Sequence, residues 1–120
     1  MDAAELARKM AEGLACFNHR EFYEAHEHWE DAWNELDDPA RRWVQGLIQI
    51  ATGLHKLERG RPDVCRTLFV KALTKLEGAP ATYEGVDLAR AIAGARRILS
   101  DIEAGGSPRA LLALPAVERE

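Results

Sequence analysis

Cysteine is scarce: Cys16 and Cys65 are the two in 120 residues, they lie far apart, and neither belongs to a Cys-x-x-Cys pair. Thiolate zinc sites and dithiol redox motifs therefore lack support, and each thiol is expected to be a small buried hydrophobe. A cysteine nucleophile would need one of the four histidines, His19, His26, His28 or His55, brought to it by the fold. Basic residues show no excess either. Lys and Arg number 16 against 20 Asp and Glu, a net charge of -4 spread along the chain without blocks. That leaves no electrostatic footprint for nucleic acid or an anionic membrane surface, and both are excluded as expected partners. No apolar run approaches the roughly 20 residues of a bilayer span. The opening Met1-Asp2-Ala3-Ala4-Glu5 lacks a signal-peptide pattern, so a cytoplasmic location is expected.

What the chain does contain is apolar spacing of helical period throughout, with no convincing period-two alternation over strand length. The expected fold class is all-α: a bundle of five helices in a single domain over residues 1–106, with a C-terminal extension over 107–120. At this length one ordinary core can form, hiding roughly two-thirds of the unfolded chain's surface, but not two cores. The first helix carries Leu6, Met10, Leu14 and Phe17 and should stop near Asn18; the second should run from about Glu21 to Leu36. Asp37-Asp38-Pro39 then starts a third, to about Arg59, which Gly60 closes. Val44, Leu47, Ile48, Ile50, Ala51 and Leu54 spread over a broad arc of this segment, which marks it as the central helix. Gly46 and Gly53 on it should admit a neighbouring backbone. A fourth helix begins at Pro62 and ends by Gly78-Ala79-Pro80, and a fifth runs from Asp87 to about Glu103 before Gly105-Gly106. Ser107-Pro108 is expected to cap a short helical turn carrying Leu111, Leu112 and Leu114, ahead of a polar end at Glu118-Arg119-Glu120.

One stretch concentrates chemistry: Glu21-Phe22-Tyr23-Glu24-Ala25-His26-Glu27-His28-Trp29-Glu30-Asp31-Ala32-Trp33. On a helical wheel Glu30 lies about 40° from His26, with Phe22, Trp29 and Trp33 on the other side of that histidine. The pair therefore shares one face at the margin of the apolar stripe. An imidazole and a carboxylate one turn apart can converge on an ion or work as acid and base. A catalytic metal normally has three protein ligands, and His55 on the third helix is the leading candidate for the missing one. Gln45 and Gln49, one turn apart, could orient ligands. The zincin pattern His-Glu-x-x-His fails, because position 30 is Glu30. The plainer alternatives are an ordinary intrahelical pair, Glu30 accepting the indole N–H of a tryptophan on another element, and His55 as a core histidine bonded to a backbone carbonyl. Trp29, Trp33 and Trp43 are expected in the core; His28 and Glu27 should face solvent, and His19 should lie in a turn.

The segment Phe17 to Trp33, followed by Gln45-Gly46-Leu47-Ile48-Gln49-Ile50-Ala51 and His55, resembles domain-of-unknown-function family 309. That resemblance implies a small all-helical protein with a central helix surrounded by others. It also implies a His-x-x-x-Glu-x-x-Trp/Tyr motif on His26, Glu30 and Trp33, for which metal binding has been suggested, but no established activity. Tyr23, Glu24, Glu27, Trp33, Gln45, Gln49 and His55 would line the same region. Arg20 departs from the small residue expected in the first turn.

Two readings follow. In the first, a divalent metal is held by His26, Glu30 and His55, with hydrolysis by a metal-bound water and Glu27 or Glu30 as catalytic base. In the second, the motif only locks helices together, and an exposed face or the leucine-rich tail binds another protein. The partner, small molecule or protein, stays open, and homo-oligomer formation is allowed by the broad apolar helices.

Overall fold

The five apolar stripes up to Glu103 have folded into the helices their spacing predicts. The structure, a computed structural model, describes residues 1–110 and 112–118. In chain order the elements are α1 (Ala3–Asn18), α2 (Phe22–Trp33), α3 (Ala40–Glu58), α4 (Pro62–Lys75), β1 (Thr82–Tyr83), β2 (Val86–Asp87) and α5 (Leu88–Glu103). The fold is an all-α bundle with one minimal hairpin. Asp2 caps α1 by accepting from the Glu5 amide at 2.8 Å, and Asp87 caps α5 by accepting from the Arg90 amide at 2.9 Å. Pro62 opens α4, where its missing N–H is harmless. Helix α2 ends three residues before the expected Leu36, because Glu35 and Leu36 turn back to the carbonyls of Ala32 and Trp33 in tighter bonds.

Helix α3 packs against both α2 and α4 and buries Val44, Leu47, Ile50, Ala51 and Leu54 completely. The expectation for its glycines needs correcting. What comes nearest is side chain: a Cβ on Gly46 would meet Leu76 at 2.7 Å, and one on Gly53 would meet the Phe69 ring at 2.7 Å, with the Cys65 backbone carbonyl oxygen of α4 next at 3.6 Å. The hairpin was not foreseen, because two-residue strands are too short to show alternation. Thr82 pairs with Asp87 and Tyr83 with Val86, and both linking residues, Glu84 (φ 48) and Gly85 (φ 80), are left-handed as a tight hairpin turn requires.

The ends of α1 and α3 share one geometry. Glu21 N–H returns to the Cys16 carbonyl and Arg20 N–H to Phe17; Arg61 N–H returns to Lys56 and Gly60 N–H to Leu57. The left-handed residue is Gly60 (φ 78) in one turn and Arg20 (φ 62) in the other.

After α5 no helical turn forms among the described residues 107–110 and 112–118, which corrects that expectation; Leu111, Arg119 and Glu120 lie outside the described residues. The described residues run as a strap, with the amides of Leu114 and Val117 bonded to Asn18 and Gly85. Asn18 holds Leu114 by both backbone groups, donating Nδ2–H to its carbonyl (2.9 Å) and accepting its N–H (2.8 Å). Arg90 Nε donates to the Ala113 carbonyl at 2.9 Å, and Val117 N–H to Gly85 at 3.1 Å. Ala110 and Leu114 are buried in the common core. No helix is long and apolar enough to cross a membrane among the described residues.

Candidate functional site

The roll of α2 is set by its buried face. Phe22, Ala25, Trp29 and Ala32 point inward, with Phe17 edge-on to Phe22 (centroids 5.2 Å apart) and tilted against Trp29 (5.6 Å). The Trp29 indole lies on Gly13, where a Cβ would intrude, and donates its N–H to the Met10 carbonyl at 3.2 Å. With Trp29 so locked, His26 and Glu30 fall on the edge between core and solvent, as the wheel requires.

His26 is held at both ring nitrogens by its own helix. Nδ1 lies 3.2 Å from the Tyr23 carbonyl oxygen, and Nε2 lies 3.1 Å from Glu30 Oε2. A carbonyl only accepts, so Nδ1 carries a proton; an ionised carboxylate also only accepts, so the second contact is satisfied when Nε2 carries one too. The Glu30 side chain is 53% exposed and that of His26 is 24% exposed, so the pair stands at a surface seam where screening keeps its contribution small.

Across the seam, Tyr23 contacts both imidazoles, its ring centroid 5.4 Å from His26 and 5.8 Å from His55. Tyr23, His26, Thr52, His55 and Lys56 line a pocket of about 140 Å³. Thr52 and Lys56 were missed from sequence, although they continue the Gln45/Gln49 stripe of α3 at spacings of three and four. Along the same helix pair, the Arg41 guanidinium stacks 3.8 Å above the Trp33 ring. Three polar atoms there are buried without a hydrogen-bond partner: Trp33 Nε1, Arg41 Nε and Gln49 Oε1. The hydrogen bond that Glu30 makes is to His26 on its own helix, not to an indole of another element. Trp29 is a core residue, whereas Trp33 and Trp43 are only partly buried and pack on the core's rim.

The structure therefore brings His26 to Glu30, and His26 and His55 to one pocket. Among the described residues it groups no three His, Cys, Asp or Glu side chains as a metal ion would require. The set His26, Glu30 and His55 is not assembled as three ligands. Glu24 and Glu27 are exposed and belong to neither the pair nor the pocket lining, while Gln45 is half-buried beside the seam. The thiols are unsuited to nucleophilic work: burial pushes Cys65 up to about 12, and burial, with help from Glu21, Glu24 and Glu12, raises Cys16.

Residues 10–68 match the family described as a domain of unknown function, DUF309. That stretch, just under half of the chain, is similar to the family. The DUF309 match runs from Met10 on α1 through α2 and α3 to Leu68 on α4, and so contains the whole seam. An uncharacterized protein of Aquifex aeolicus (strain VF5) is 27% identical over 103 residues, which cover 85% of this chain and 31% of that protein. The chain thus spans less than a third of that curated relative's length.

Proposed function

We propose that this chain is a binding module and that the α2/α3 seam around Tyr23, His26 and His55 recognises another polypeptide. The observation that carries this is the engagement of both His26 nitrogens within its own helix. With Nδ1 against the Tyr23 carbonyl and Nε2 against Glu30, any other group reaches the imidazole nitrogens only by replacing one of these contacts. The pocket of about 140 Å³ suits a single inserted side chain, since cavities of about 150 Å³ take up benzene. Tyr23, 52% exposed beside it, is the kind of aromatic that anchors such contacts.

A second reading, a divalent ion on His26 and Glu30, is favoured by one feature. Nδ1 against a backbone carbonyl is how a ligating imidazole is commonly oriented, and 3.1 Å is a separation two donors on one ion could share. The donor set stops at two, short of the three a catalytic centre uses. Elemental analysis of untagged protein separates the readings. Binding through the seam predicts no stoichiometric metal, and predicts that Tyr23→Ala loses the partners the wild type captures. One equivalent of metal, lost in both His26→Ala and Glu30→Ala, would overturn it.

A further inference from the structure

A second cleft, of about 590 Å³, opens between the end of α1, α5 and the strap and shares no lining residue with the Tyr23 pocket. Its volume falls within the range of small-molecule sites. In a chain of net charge -4, the charged side chains among the described residues lining it are all arginines: Arg20, Arg90 and Arg97. Arg90 is fixed by its Nε bond to the Ala113 carbonyl, which leaves its two terminal amino groups for another acceptor. The opposite wall is apolar, with Ala110 and Leu112 on the strap and Leu112 resting on Gly94.

Arg20 supplies an independent pointer. It occupies the left-handed position (φ 62) that the matching turn after α3 gives to Gly60, so the chain carries a backbone strain that glycine would remove. What the arginine gains is a contact with Glu58 through Nε (3.2 Å) and Nη2 (2.8 Å), between side chains 49% and 29% exposed. An exposed pair of this kind scarcely offsets the strain. A side chain kept at such a position, facing a cleft with two further guanidiniums, is explained by what it holds there.

We propose that the cleft between α5 and the strap binds a small organic phosphate, its phosphoryl group on Arg20, Arg90 and Arg97 and its uncharged body against Ala110 and Leu112. Guanidinium forks match phosphoryl oxygens in geometry and charge. Glu58 acts as the resting counter-ion of Arg20, which the ligand displaces.

The test is calorimetric titration of the full chain with phenyl phosphate at low ionic strength. Saturable one-to-one binding is expected, tighter than for inorganic phosphate, which lacks the body, and tighter than for benzoate, which carries one charge. Arg97→Gln should weaken it about tenfold, the worth of a charge-assisted contact. Glu58→Gln should tighten it. Arg20→Gly should weaken it with no fall in melting temperature, so that loss of binding is not loss of fold. No saturable heat overturns the proposal, as does binding unchanged in both arginine variants or benzoate binding as tightly as phenyl phosphate.

Discussion

The turns that end α1 and α3 are built from the same backbone hydrogen bonds, yet their surroundings differ at every position that has chemistry. After α3 the left-handed residue is Gly60, and a Cβ there would meet nothing within 4 Å. After α1 it is Arg20, tied to Glu58 and facing the cleft beside the strap. Each turn also has a thiol nearby: Cys16, half-buried, lends its carbonyl to the first, and Cys65, fully buried, follows the second. The first turn is joined to the strap by the hydrogen bonds of Asn18. A shared backbone solution thus leaves the side chains free, and where the strained choice was made a side chain is in use.

Breaking the strap should separate the two turns most. Asn18→Ala removes two hydrogen bonds to Leu114, which is 0% exposed, and should cost about 2 kcal/mol in denaturant unfolding. An unchanged midpoint would mean the strap adds nothing to the first turn. Next in size is exchange of the left-handed residues. Gly60→Ala should lose about 1 kcal/mol, whereas Arg20→Gly should stay level or gain up to about 1 kcal/mol, less the few tenths of the Glu58 pair. Shifts of the same sign would show that the turns are not equivalent in backbone energy. The smallest contrast lies in the thiols. Iodoacetamide should modify Cys16 before Cys65, and early loss of Cys65 would contradict its burial. Because the folded state holds the Cys65 proton up to about 12 while the unfolded chain releases it from about 9, this residue's contribution to stability is constant below that range. It falls as pH rises through the interval, since the unfolded state then binds fewer protons.

Much of this was readable in the chain. The five helices and the Pro62 and Asp87 starts follow from period and capping, which are local properties. The His26–Glu30 contact was equally visible, being one turn of one helix. The Tyr23–His55 contact was not, since it depends on the distance at which α2 and α3 settle. Nor was the absence of a helical turn among the described residues 107–110 and 112–118: leucine spacing favours a turn, but Asn18, Arg90 and Gly85 compete for the same backbone groups.

By itself, then, the order of residues decided which segments coil, which faces are greasy, and where His26 and Glu30 stand on their helix, because those depend on neighbours within about one turn. The tertiary structure alone decided that Asn18 grips Leu114 across 96 positions and that Arg20 reaches Glu58 across 38. It also decided that an arginine of the turn after α1 shares one cleft with two arginines of α5. Such encounters are set by how the packed helices close the intervening loops, and no local pattern carries that information.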